Sequence, residues 1–291
     1  MLEKVKHFIK SESLIDSSDK ILVAVSGGRD SVVLLILLNN LKYNIEVAHC
    51  NYQLRGEESD ADEEFVKVLC EKLDIPLHLK RFETSMAAKN EGVSIQMKAR
   101  DIRYAWFEEL CKSNNIEKIA TAHHLDDQLE TILINLTRGT GLKGLRGMKP
   151  LRENIVRPLL CVARDEINEF IYANHLPFRE DSSNASGKYF RNKIRHQVIP
   201  VLKEINPSLF DAVNNSVKRL KAVEDNWENQ FYKWQESLCF ENGIRLIPYT
   251  SNNSNELSFI HQLLRSKGFS YPDIESVLSS DTKREKVLWE K

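Results

Sequence analysis

The sequence has no long hydrophobic run, no paired cysteines and no lysine-bearing phosphate loop, and each absence removes a class of protein. Its longest apolar stretch, residues 32–38, is far below the roughly 20 residues that a membrane-spanning helix needs. The opening residues, MLEKVKHFIKSES, mix charge with apolar side chains and hold no signal-peptide core. No membrane partner and a cytoplasmic location are therefore expected. The cysteines, at 50, 70, 111, 161 and 239, form no C-x-x-C pair, which argues against a disulfide framework or a structural zinc site. A formal net charge of −1 gives no bulk attraction to nucleic acid. No Gly-Lys-Ser/Thr closes a glycine-rich loop, so a Walker-type phosphate loop is excluded. A G-x-G-x-x-G does occur at Gly139, Gly141 and Gly144, but it follows a helical pattern rather than a strand and is not a dinucleotide fingerprint.

What is present is an alternation of short apolar runs with longer amphipathic ones. Residues 21–25, 45–50, 77–82 and 118–122 read as buried strands. Helical patterns lie between them at 31–41, 60–73, 94–111 and 125–136, the second opened by Ser59 with Asp62 as a capping box. In the third, Ile95, Ile102, Trp106 and Leu110 share a face. Such alternation predicts an α/β fold, a parallel sheet with helices on both faces, with ligands beyond the carboxyl ends of its strands. After residue 137 come a glycine-rich loop (139–147), an apolar segment (155–160), a helix near 164–174, a polar loop ending in EDSSNAS and a basic helix near 189–198. One or two helices over 208–240, a strand at 244–247 and helices near 255–266 and 272–279 follow. Two domains are expected, 1–212 and a smaller, mainly helical accessory domain at 213–291.

The string ILVAVSGGRDSVVLLILL places a tight polar turn between a strand and a helix. Gly27 and Gly28 let the backbone turn sharply with its amides facing an anion, and the helix points its positive end at the same place. Ser26 and Ser31 add hydroxyls, Arg29 adds charge, and Asp30 is a candidate magnesium ligand. An ordinary βα turn uses the same residue types. The second constellation is TAHHLDDQLET, 121–131, at another strand end. Asp127 and Glu130 lie three apart on one helical face, suited to magnesium or proton transfer, although an acidic helix start is favourable by itself. His123 and His124 sit just upstream, within reach of adenine, phosphate or substrate.

SGGRDS resembles the PP-loop of the N-type ATP pyrophosphatases, whose members cleave ATP between the α and β phosphates. The resemblance narrows to the tRNA(Ile)-lysidine synthetases over roughly 15–205: HCNYQLRGEESDADEEFV (49–66), ARDIRY (99–104), AHHLDDQLET (122–131), LTRGTGLKGLRGM (136–148), RPLL (157–160) and EDSSN…YFRNKIRHQVIP (180–200). It implies a Rossmann-like PP-loop domain of the adenine nucleotide alpha hydrolase type. It also implies a ligase that adenylates the C2 carbonyl oxygen of the anticodon wobble cytidine and then joins lysine to give lysidine. The implied ligands are ATP and Mg2+ (Asp30, Asp127), L-lysine and a tRNA(Ile) with a CAU anticodon, with homodimers in some members. Ser26, Gly27, Gly28, Arg29, Asp30, Ser31 and His123 would then bind ATP, and Asp127, Glu130 and Arg103 would serve catalysis. One departure is Tyr52, where many members carry histidine. Many relatives also carry a further tRNA-binding domain, so a shorter subgroup or a shortened chain is expected.

Charge is unevenly spread: from Arg138 to Lys203 there are thirteen Lys/Arg against six Asp/Glu. Arg191, Lys193 and Arg195, beside Tyr189 and Phe190, combine charge with aromatic surface and are the expected tRNA or substrate contacts. The acidic run from Glu57 to Glu64 reads as a helix start, Cys50 as a packed thiol, and Trp227 and Trp234 as core or interface residues. Three rival functions stay open: a PP-loop tRNA thiolase, which scattered cysteines disfavour; a non-catalytic nucleotide- or tRNA-binding module; and an amidating synthetase of the same superfamily, for which no glutaminase segment is seen.

Overall fold

Ile21 and Val23 face one side of the first strand and Leu22 the other, and all three are fully buried, as a central strand covered by helices on both sides requires. The computed structural model of the chain describes residues 1–180, 189–237, 240–241, 244–247, 254–279 and 286–289. The strands β1 (Lys20–Ala24), β2 (Asn44–Asn51), β3 (Leu77–Arg81), β4 (Lys118–Ala120), β5 (Leu151–Arg152) and β6 (Ile155–Val156) form one sheet in the order β3-β2-β1-β4-β6-β5. All neighbours are parallel except β5 with β6, which are antiparallel. The order reverses at β1, so the crevice beyond the ends of β1 and β4 is where such a sheet opens to a ligand.

One apolar cluster joins β1 to α1 (Leu2–Ser11), α2 (Arg29–Asn40), α3 (Glu57–Leu73) and α8 (Arg164–Ala173). The other packs Leu22, Ala48 and Ile119 against Trp106, Phe107 and Leu110 of α5 (Ile95–Asn114). α2 is buried almost all round (Val32, Val33, Leu34, Leu35, Leu37 and Leu38), which is why its pattern is a continuous apolar run rather than a stripe. The remaining helices of this part are α4 (Thr84–Glu91), α6 (Leu125–Thr137), α7 (Leu142–Leu145), α9 (Tyr189–Lys193) and α10 (Ile199–Ile205).

Three local expectations are corrected. α3 begins at Glu57, not after Ser59; the Ser59 hydroxyl lies in the first turn and accepts the Arg55 amide, while Asp62 is taken by Arg55 and Arg179 instead of capping. Ile95 is exposed, because the first turn of α5 precedes the part that packs on the sheet. The basic helix is interrupted, with Ile194–Val198 wound as a wide π-turn. Pro200, with no N–H to give the carbonyl four residues back and a ring that crowds it, accounts for that widening. The polar loop's residues 181–188 lie outside the described residues.

The chain divides into two compact units, Met1–Val217 and Lys218–Lys291, and α11 (Leu209–Ser237) runs through the division. The second unit holds α12 (Ser254–Ser266), α13 (Tyr271–Ser279) and an antiparallel sheet of β7 (Phe240–Glu241), β8 (Ile244–Ile247) and β9 (Lys286–Trp289). Its core is aromatic: Trp227 stacks on Phe231 at 5.6 Å, and Trp234 and Phe259 pack against them. Among the described residues no helix is long and apolar enough to cross a membrane.

Candidate functional site

β1 ends in a turn that only glycine fits. Gly27 has φ +91°, outside the range that side-chain-bearing residues favour, and a Cβ there would stand 3.3 Å from the Phe65 ring. Gly28 then starts α2 in an extended conformation. The two serines staple the turn from within: the Ser31 hydroxyl donates to Gly28 O (2.8 Å) and accepts the Ser26 amide (3.2 Å), and Ser26 Oγ accepts the Gly28 amide (3.3 Å). The first-turn amides of α2 have no acceptor inside the helix and open toward the cavity beyond the sheet. Arg29 is turned to one side, donating to Asn168 (3.1 Å) and Glu180 (2.6 Å) with its guanidinium over the Phe178 ring. The Arg179 amide donates to Gly27 O at 3.0 Å, so the segment after α8 ties down the same loop.

The cavity holds about 550 Å3, within the range of small-molecule sites, and runs from Ser26–Ser31 to the end of β4. There Thr121 Oγ1 meets His123 Nδ1 at 3.0 Å. Burial pushes the His123 pKa down to about 4, against the pull of Asp127 and aided by Arg157 and Arg103, so its imidazole is neutral at pH 7. His124, fully buried, sits between three carboxylates: Asp127 (3.4 Å) and Asp30 (3.6 Å) at Nε2, and Asp126 (3.6 Å) at Nδ1. Burial lowers its pKa, but Asp126, Asp127 and Asp30 outweigh burial and raise it. Arg164 reaches the same Nε2 at 3.0 Å and its amide donates to Asp126 at 2.8 Å. The imidazole thus brings Asp30 of α2 and Asp127 of α6 together at one ring nitrogen, with Asp126 at the other.

Asp127 and Glu130 do share a face of α6, yet they meet different surroundings. Glu130 is fully buried, with Arg191 Nε donating to one oxygen at 2.6 Å and Arg195 Nε to the other. The same two guanidinium groups stand 3.3 and 3.4 Å from Asp127 Oδ1. Asp127 and Arg195 line the cavity, and Glu130 and Arg191 stand behind them. Lys193 is exposed and apart from this network, as is Phe190, which lies under Arg138. The trio expected to form one surface is therefore split, with two arginines inward and one lysine outward.

The opposite wall carries Arg103, expected to serve catalysis, beside residues to which the sequence gives no role at the site. Cys50 packs against the apolar cluster around Trp106, as expected, and also lines the cavity, with burial pushing its thiol up to about 11. Tyr52, also at the cavity, stacks on Phe82, and burial raises its phenol well above its ordinary value. Arg103 lines the cavity with its guanidinium 5.1 Å from the Tyr104 ring. The acidic run of α3 is spent on ion pairs: Glu63 holds Arg81 (2.8 Å) and Lys67 (2.9 Å), and Asp62 holds Arg55 and Arg179. Among the described residues no three His, Cys, Asp or Glu are grouped to hold a metal ion unaided.

The family model described as PP-loop domain matches residues 1–202. The tRNA(Ile)-lysidine synthase of Bacteroides thetaiotaomicron is 40% identical over 278 residues, covering 96% of this chain and 65% of that protein. The synthase of the same name from Porphyromonas gingivalis W83 is 40% identical over 283 residues, covering 96% and 62% respectively. The chain thus spans less than two thirds of the length of these curated relatives. The U34-tRNA thiolase NcsA of Methanococcus maripaludis superposes with a TM-score of 0.63 at 20% identity, over 75% of this chain and 77% of that one, a likeness of fold alone.

Proposed function

We propose, from the premise that this chain belongs to the PP-loop domain family, that it uses ATP to adenylate the C2 carbonyl oxygen of the wobble cytidine in a tRNA(Ile) with a CAU anticodon. L-lysine then displaces AMP through its ε-amine to give lysidine, pyrophosphate having left in the first step. The observation that carries this reading is the cavity itself: a glycine turn and an open helix N-terminus on one side, with a neutral His123 and the Asp30–His124–Asp127 array on the other.

In this reading the amides beside Gly27 and Gly28 hold the ATP phosphates, with Ser26 and Ser31 bracing the turn rather than reaching out. Asp30 and Asp127 offer the hard carboxylate oxygens that Mg2+ takes together with substrate phosphates, so the donor set fits that ion although it does not enclose it. Bound there, Mg2+ would neutralise phosphate charge that the two carboxylates otherwise repel. Arg103, on the far wall, contacts the reacting groups. Glu130 acts as a positioning residue, fixing Arg191 and Arg195 against Asp127. Lys193 and Phe190 contact the RNA, and the unit from Lys218 onward supplies a tRNA contact of its own.

The test is incorporation of labelled lysine into tRNA in the presence of ATP and Mg2+, followed by nucleoside analysis. Lysidine in isoleucine tRNA, with stoichiometric AMP and pyrophosphate, is expected. Cys50→Ser is expected to keep this activity, since a thiol held near 11 is not an active sulfur carrier. Sulfur transfer in place of lysine incorporation, lost in Cys50→Ser, would establish the thiolase; binding of ATP or tRNA with no turnover would establish the binding module.

A further inference from the structure

Most arginines around the cavity are matched to a carboxylate: Arg164 to Asp30, Arg179 to Asp62, Arg29 to Glu180, and Arg191 and Arg195 to Glu130. Three are not. Arg157, Arg103 and Arg100 have no carboxylate partner among the described residues, and two of them, Arg100 and Arg103, flank one aromatic ring. Arg100 and Arg103, three apart on α5, place their guanidinium groups 4.9 and 5.1 Å from the Tyr104 centroid. Arg157 follows β6 at the carboxyl edge of the sheet, where burial first and then the like charges of Arg100 and Arg152 disfavour its cation.

Burial makes this group costly as it stands. Arg157 is only 6% exposed. It spends one Nη1 donor on Lys149 O (2.6 Å), while its Nε has no hydrogen-bond partner. Arg103 Nε and the Tyr104 hydroxyl are likewise buried without a partner. A buried guanidinium without a counter-ion and three buried polar atoms left unsatisfied are expensive in a folded protein. All three can donate, and two of them only donate, so the missing ligand supplies acceptors and negative charge.

We propose that Arg157, Arg103 and Tyr104, with Arg100 at the rim, form a binding site for a backbone phosphodiester of the RNA strand whose base enters the cavity. Guanidinium planes stacked with an aromatic ring, graded from the exposed Arg100 to the buried Arg157, suit an unstacked single strand. Arg103 belongs both to this group and to the cavity lining, which puts the phosphate next to the reacting nucleotide. The inference rests on the proposed RNA substrate and adds where the strand's backbone is gripped.

The experiment measures affinity for isoleucine tRNA across a salt series, alongside lysine incorporation, in the full chain and in Arg157→Gln, Arg157→Lys, Arg100→Ala and Tyr104→Phe. Arg157→Gln is expected to bind tRNA roughly tenfold more weakly. Its slope of log affinity against log salt should be shallower by roughly 0.7, the value for one single-strand phosphate that is no longer neutralised. Arg157→Lys should keep that slope, and the KM for lysine should stay unchanged throughout. The exposed Arg100→Ala and the near-isosteric Tyr104→Phe weaken tRNA binding in the same direction and carry the test if the buried substitution fails to fold. Unchanged tRNA affinity and slope in these variants, or an effect confined to the lysine KM, overturns the phosphate site. If the unmodified chain itself neither binds nor modifies tRNA, the proposed function falls instead.

Discussion

Replacing Glu130 by glutamine removes one charge and almost no volume, and its consequence can be worked from the structure. The carboxylate is fully buried and is the shared acceptor of two guanidinium groups, Arg191 and Arg195, which are about three-quarters buried. Glutamine can accept from one arginine but presents an amide to the other, leaving a buried cation facing donors. Breaking a buried ion pair in this one-sided way costs about 3–5 kcal/mol. Urea denaturation followed by circular dichroism should therefore show a clear drop in midpoint for Glu130→Gln. The compensated variant Glu130→Leu with Arg191→Met and Arg195→Met, which removes the charges together, should recover much of that loss. Activity should not return with stability, because Asp127 then lacks the two groups that fix it. A change below about 1 kcal/mol in Glu130→Gln would refute the assignment of Glu130 as the buried anchor of the site. So would a triple variant less stable than the single one.

Gly27→Ala combines a positive-φ penalty with a close approach to Phe65, and about 1–2 kcal/mol of destabilisation with weakened ATP binding is expected. Adding Phe65→Leu should relieve the close approach but not the backbone strain, so calorimetry of ATP binding should show at most partial recovery. Glu63 supplies a pH test. Its hydrogen bond to Arg81, acting against burial and helped by Lys67 and Asn51, lowers its pKa from 4.5 to about 2. A carboxylate lowered in the folded state stabilises above its unfolded pKa, and that stability is lost as pH falls from about 4.5 toward 2. Half-exposure of Arg81 screens the pair, so about 1–2 kcal/mol is at stake. Glu63→Gln should lose this slope in acid titrations of stability, and an unchanged acid limb would show that the pair contributes nothing.

How much of the molecule is legible in the sequence follows from the range of the forces involved. The strand, glycine turn and helix at 20–40 can be read because local geometry dictates them: an apolar run must be covered, and Gly27 must take a conformation few other residues hold. The shared face of Asp127 and Glu130 is legible for the same reason, since a helix fixes the phase of residues three apart. Their different fates are not, because Arg191 and Arg195 come from more than sixty residues away in sequence. A charged helix looks alike whether its cations meet water or a buried carboxylate. The antiparallel β5 and the placement of Cys50 at the cavity wall also depend on partners that no local pattern announces. His124 reads in the sequence as a second histidine beside His123, although its position at the start of α6 puts it against that helix's acidic first turn.

The arginines show why charge in a sequence has to be counted against what it meets. From Arg138 to Lys203 the excess of Lys/Arg over Asp/Glu suggests a surface for RNA. In the structure Arg164, Arg191 and Arg195 from that stretch are already answered by Asp30, Asp127 and Glu130. Their electrostatic effect at long range is largely cancelled, and they act locally, holding carboxylates in place. Arg157, from the same stretch, meets no such counter-charge among the described residues, and Arg103 and Arg100 of α5 meet none either. A phosphate arriving at the first group must compete with a carboxylate, whereas at the second it satisfies groups that folding left without acceptors. In the proposed phosphate site, the grip on a polyanion therefore lies where carboxylates are missing, not where arginines are most numerous.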